Sequence, residues 1–355
     1  MRVKGGNTVR RSNPSEIHRY YPSLVISSCI REETQPFGAG RNAGPLGPGG
    51  CQFAVKWMPG LGQVPSKPFF RSKAGGPGFK LTMINPVASS STGMLKIGFG
   101  DALFAAPVAG VAVLSLVYGN FVPLLDPFHW PKVLIFALGL VLLATSIGLL
   151  FERTLAASAI TIAVCALAWA LVRTSPIVQA PLSIGSWYGV SEAMSMLVGV
   201  WTLYASHRRR NHAGKVAPLT SDIALRLARG LFGAACLVYG IAHFAYAAYS
   251  LPFVPTWLPA RVPFLYATGI FHAAAGAGLI LGIQPRLAAR LEATMIILFG
   301  VLVWLPSYFT SPTPKWAGNL QNQWSETIVT FLLAGVAWLI AESLSSYVSR
   351  NKAVA

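Results

Sequence analysis

From residue 103 onward the chain is a succession of long apolar runs broken by short polar, basic or proline-rich connections. Eight runs stand out, at 103–122, 133–151, 155–172, 187–205, 231–251, 262–281, 288–309 and 324–341. Runs of this length are long enough, at about 1.5 Å per residue, to cross the hydrocarbon core of a bilayer as helices. The fourth and eighth are interrupted by Glu192 and Glu326. The pattern also repeats. Leu116-Val117-Tyr118-Gly119 returns as Leu237-Val238-Tyr239-Gly240, and further matches follow in the same order: Trp130-Pro131 with Trp257-Leu258-Pro259, Trp169 with Trp304, and Ser191-Glu192 with Ser325-Glu326. Self-similarity on this scale reads as one four-span unit duplicated and fused.

An even number of spans per copy makes both copies enter the membrane from the same side. The expected fold is therefore an all-α membrane protein of eight transmembrane helices, arranged as two parallel four-helix bundles. The first repeat covers 94–206 and the second 229–345, joined by a basic cytoplasmic linker at 207–228 and followed by a short cytoplasmic tail at 346–355. Within the spans, Gly139 and the small-residue run from Ala273 to Gly278 let helix backbones approach closely.

Composition supports the bilayer: 54% of residues are hydrophobic and only 11% charged, where a soluble domain carries about a quarter charged. Lys and Arg set the orientation. Twelve fall on one side of the spans, including Arg208, Arg209 and Arg210, and four on the other, namely Lys132, Arg173, Arg261 and Lys315. Both ends of the bundle are accordingly expected in the cytoplasm, with the protein in the cell inner membrane. The basic run at 207–210 reads as a topogenic signal, so no nucleic-acid partner is expected.

Residues 1–93 are different, with 14 Gly and 10 Pro and no sustained apolar period. Such a segment cannot bury a core and is expected to be a disordered basic tail; initiation at Met83 or Met94 would remove it altogether. Of the four cysteines, Cys165 and Cys236 lie in spans, Cys29 and Cys51 in the tail, with no metal-binding spacing. No metal is expected, and motifs for hydrolysis or nucleotide binding are missing.

The chemistry-bearing residues sit in the second repeat. His243 lies eight residues, about 12 Å, below the outer end of the fifth span, and His272 ten residues, about 15 Å, below the outer start of the sixth. Tyr239, His243 and Tyr246 recur at i, i+4 and i+7 on one helix face. With Glu326 at the mouth, Trp304 one turn inside the seventh span and Trp257 at the boundary, they sketch a pocket open to the outside. Ionisable groups inside a membrane are functional candidates by default, and an imidazole can hydrogen-bond a quinone carbonyl or pass a proton near neutral pH. The same histidines also suit a purely structural role, hydrogen-bonding between helices. In the first repeat Leu142 aligns with His272 and the histidine pair is missing, so any site is asymmetric.

Three elements, Gly240-Ile241-Ala242-His243-Phe244, then Val254-Pro255-Thr256-Trp257-Leu258-Pro259, then Thr268-Gly269-Ile270-Phe271-His272 with Gly276 and Gly278, resemble in order and spacing the DoxX-like family of four-span membrane proteins. The resemblance covers about 229–343, the first repeat being a diverged copy. It implies a membrane subunit associated, in some members, with quinone-linked oxidation. Many members carry Glu where this chain has His272. The expected role is an accessory or quinone-interacting subunit of a membrane redox system, with membrane redox subunits as partners and quinone as ligand. A small-solute or lipid-like carrier, or an assembly factor without catalysis, are the alternatives.

Overall fold

The computed structural model describes residues 97–121, 130–211 and 217–354; the tail at 1–93, with Cys29, Cys51 and both alternative starts, lies outside the described residues. Eight long helices follow one another among the described residues: α1 Phe99–Tyr118, α2 Lys132–Gly148, α3 Leu155–Val172, α4 Ile184–Asn211, α5 Asp222–Ala245, α6 Arg261–Leu281, α7 Pro285–Phe299 and α8 Leu320–Val354. They match the eight apolar runs in order but not in length. The run at 231–251 breaks at Tyr246, so α5 ends six residues early and His243 stands in its last turn. At the other end α5 reaches back to Asp222, and α4 continues to Asn211, which leaves a connection shorter than the linker at 207–228. Helix α8 runs on to Val354 through the region read as a tail.

Local chemistry explains the boundaries. Ser221 caps α5 by accepting from Ala224 N at 3.2 Å, with Asp222 in the first turn. Gly119 ends α1 and Gly282 ends α6, both at positive φ, the conformation glycine adopts without a Cβ penalty. Pro285 opens α7 at the first position, where a missing N–H costs nothing. Near its far end α7 loosens into a π turn at Gly300–Trp304, just ahead of Pro306, which has no N–H to continue the ladder. In α1, Pro107 leaves the Leu103 carbonyl without its helical partner, and that oxygen lies against Gly335 of α8, close enough that a Cβ there would approach it to 2.6 Å.

Each helix packs on its neighbours in chain order, α4 on α5 joining the halves, and two further contacts tie the halves together: α1 lies on α8, and α4 on α8. One apolar core runs through both halves, including Phe104, Leu203, Phe232, Ile296 and Ile340. The bundle has two ends. At one, Asp101 accepts from Gly98 N at 2.9 Å and meets His207 Nε2 at 3.0 Å, both side chains buried; Arg209 bonds Asp222 nearby. At the other, Arg261 donates to the carbonyls of Val254 and Leu251 at 3.0 and 2.8 Å, folding the α5–α6 connection against the start of α6.

Six helical segments are long and apolar enough to cross a bilayer: Phe99–Tyr118, Leu155–Gln179, Asp222–Ala245, Arg261–Leu281, Pro285–Ser307 and Leu320–Leu344. The remaining two long helices differ. Lys132–Gly148 is apolar but shorter, and Ile184–Asn211 carries Glu192, several Ser and Thr and three terminal arginines. Large apolar side chains such as Val117, Ile160, Leu171, Phe271 and Leu291 point outward from the bundle, where a water-soluble protein places charge. These features fit a multi-pass membrane protein surrounded by lipid.

Candidate functional site

The site begins with four glycines. Gly233 and Gly240 on α5 face Gly276 and Gly269 on α6, and a Cβ on any of them would approach the backbone of the opposite helix to 2.6–3.1 Å. Two glycine pairs seven residues apart therefore bring α5 and α6 into backbone contact. The consequence falls on the next residues: the rings of His243 and His272 meet edge to face with centroids 5.2 Å apart. The two histidines named from sequence are thus neighbours, although His243 lies at the end of its helix and not eight residues inside it.

Their hydrogen bonds differ. His243 donates from Nδ1 to the Tyr239 carbonyl of its own helix at 3.1 Å. His272 is buried, and its Nδ1 lies 2.6 Å from Oε1 of Glu292 on α7. The Glu292 side chain is 0% exposed, its Oε2 has no hydrogen-bond partner, and the Cys236 thiol of α5 lies beside it. An ion pair or acid taken so far from water is costly unless its partner stays in place. Phe299, the last residue of α7 before the π turn, packs on both imidazoles, with centroids 6.3 and 5.9 Å away.

Helix α4 of the first half completes the enclosure. Tyr239 stands 6.2 Å from His272, centroid to centroid, and its hydroxyl shares a 3.1 Å hydrogen bond with Ser195 of α4. Tyr188 of α4 packs edge to face on Tyr239 at 5.3 Å. Tyr246 also docks on the first half: its hydroxyl accepts from Gly185 N at 3.1 Å and bonds Ser183 Oγ at 3.3 Å. The Tyr239–His243–Tyr246 stripe thus divides. Both tyrosines turn to α4, while the histidine turns to α6.

The other expected site residues lie elsewhere. Glu326 on α8 has Glu192 and Tyr188 of α4 as its electrostatic neighbours, so the two glutamates that match between the sequence halves approach each other across the α4–α8 contact. Arg173 offsets the charge of Glu192 and lies against Gly189. Trp304 joins Phe253 and Trp316 in an aromatic cluster with centroids 5.2–5.8 Å apart. Trp257 is 65% exposed at the same end. Among the described residues no group of three or more His, Cys, Asp or Glu is arranged to hold a metal ion.

The carboxylate that meets a histidine is therefore Glu292, inside the run at 288–309, and not the expected Glu326. A signal for it existed. Glu292 stands ten residues after Gly282 and His272 ten before, so folding a helical hairpin at Gly282 sets them at one depth. Compared with protein-family models, with curated proteins and with solved structures, the chain matches none.

Proposed function

We propose that the chain is an eight-span membrane protein of two parallel four-helix units, the second DoxX-like, that serves as an accessory, quinone-interacting subunit of a membrane redox system. The helix neighbours support the duplication: α1 lies on α2 and α8, α5 on α6 and α4, and the last helices of the two units lie on each other. The polar residues of α4 are compatible with a span because α3, α5 and α8 surround it. At 17 residues, about 25 Å, α2 spans a bilayer only where the membrane thins locally. The distribution of Lys and Arg supports an orientation with the Asp101 end in the cytoplasm and the histidines toward the opposite face.

The observation that carries the functional reading is the His243–His272 contact, backed by Glu292 and walled by Phe299 and Tyr239. Two imidazoles with aromatic walls can bind a quinone head group by hydrogen bonds and stacking, and the buried carboxyl gives that site a proton store. Because the imidazoles already touch, the ligand ring would lie beside the pair and not between its members. The test is binding of short-chain quinones to the full chain in nanodiscs. His243→Ala removes a ring whose hydrogen bond stays within its own helix, so the fold should persist while affinity falls at least tenfold. His272→Leu combined with Glu292→Leu removes the second contact without leaving an unpaired charge. Unchanged affinity in both variants would refute the reading.

A further inference from the structure

The quinone reading leaves open which oxidation state the site prefers, and the hydrogen bonds around the two imidazoles speak to that. His243 is simple. A carbonyl can only accept, so the proton on its bond to Tyr239 belongs to Nδ1, and a neutral His243 presents Nε2 as a lone-pair acceptor. His272 is set by Glu292. The pair is buried, with side chains 5% and 0% exposed, and one carboxyl oxygen has no partner. Cys236 faces Glu292, Tyr239 and His243 face His272, and none of these three described neighbours is a permanent cation. In such surroundings a pair with no net charge costs far less than one with a net negative charge.

A neutral Glu292–His272 pair holds two protons. One lies in the 2.6 Å hydrogen bond between Nδ1 and Oε1, on either atom. The other is on His272 Nε2 when the pair is an imidazolium with a carboxylate or an Nε2–H tautomer with a carboxylic acid; the third arrangement, with that proton on Oε2, offers it only the Cys236 sulfur, a weak acceptor, and is disfavoured for that reason. His272 is consequently a donor at the atom where His243 is an acceptor. With ring centroids 5.2 Å apart, the two lie close enough to address one ligand oxygen.

We propose that His272 and His243 form a donor–acceptor pair, with Glu292 as the positioning residue, that recognises a hydroxyl oxygen and so favours the reduced, hydroquinone form of its ligand over the quinone. A hydroxyl accepts from His272 and donates to His243. A carbonyl satisfies His272 alone and leaves His243 unpaired. This rests on the quinone-site reading and adds its selectivity. One extra hydrogen bond of ordinary net strength corresponds to a preference of about five- to tenfold.

The test uses the full chain in nanodiscs with a short-chain benzoquinone and its hydroquinone, kept anaerobic, and the His243→Phe variant, which keeps an aromatic ring but removes the acceptor. The wild-type protein should bind the hydroquinone about five- to tenfold more tightly, and His243→Phe should bring the two affinities together by weakening the hydroquinone. Equal affinities, or a quinone preference, in the wild type would overturn the proposal while leaving a quinone site in place. Failure of either form to bind would instead remove the functional reading on which it rests. A second measurement is independent of ligand. Nitrogen-15 spectra of histidine-labelled protein, assigned with the single variants, should show a proton on Nε2 of His272 and a bare Nε2 on His243. A bare Nε2 on His272 overturns the proposal whatever binds.

Discussion

Gly276→Ala adds a single methyl group at the point where α6 touches α5. The added Cβ would lie 2.6 Å from the Gly233 carbonyl oxygen and 3.1 Å from Leu237 N and Cγ. Gly240→Ala meets the other helix in the same way, 2.7 Å from the Gly269 oxygen and 2.9 Å from Ala273 N. Ordinary non-bonded contact needs about 3.5 Å, and backbone atoms cannot swing aside as a long side chain can. The helices must therefore separate by about 0.5–1 Å, and overpacking of this kind costs about 1–3 kcal/mol. Gly230 supplies a control on the same helix, because a Cβ there meets nothing within 4 Å. Gly230→Ala should gain up to about 1 kcal/mol from helix propensity alone. Thermal unfolding of the purified proteins in one detergent gives the comparison: Gly230→Ala at or above the wild-type midpoint, Gly276→Ala and Gly240→Ala below it. If Gly276→Ala melts with Gly230→Ala, the backbone contact that holds His243 beside His272 is absent.

Three further outcomes follow from the same contacts. Glu292→Leu or His272→Leu alone leaves a buried polar partner unpaired and should cost about 3–5 kcal/mol, whereas the double variant should cost clearly less than the sum, a coupling that a double-mutant cycle reads directly. Tyr246→Phe removes the hydroxyl that accepts from Gly185 N, and should speed hydrogen exchange at that amide with a loss of about 1 kcal/mol. Asp101→Ala, by stranding buried His207 and exposing the first turn of α1, should destabilise the opposite end by about 3 kcal/mol without changing quinone affinity; a change in affinity would mean that the two ends are coupled.

Apolar run length made the order and type of the helices legible, because satisfying backbone hydrogen bonds in lipid leaves few alternatives to a helix. It did not locate their ends. The stop at Tyr246 goes with tertiary context, the docking of its hydroxyl on Gly185 and Ser183, since the residues around it are as apolar as the helix itself. Of the candidate site, the His243–His272 contact was readable from the depth of two histidines on successive helices. Glu292 was also within reach, through its symmetry with His272 about Gly282, but unlike Glu192 and Glu326 it has no counterpart in the matching positions of the two halves, and its pairing with His272 depends on the turn between α6 and α7. Phe299, Tyr188 and Ser195 were not readable. Phe299 is one phenylalanine among many until α7 places it on both imidazoles, and Tyr188 and Ser195 belong to the half that lacks histidines. Their involvement comes from α4 packing on α5, and contact between the halves leaves no local pattern in the chain.

A photoreactive short-chain quinone, crosslinked to the full chain in native-like bilayers and mapped by mass spectrometry, tests the proposed site most directly. Labelling should concentrate on peptides carrying His243, His272 and Phe299, and an excess of unmodified quinone should abolish it. Labelling spread over the lipid-facing residues of all helices and indifferent to competitor, or confined to peptides far from the α5–α6–α7 junction, would contradict a quinone site at the histidine pair.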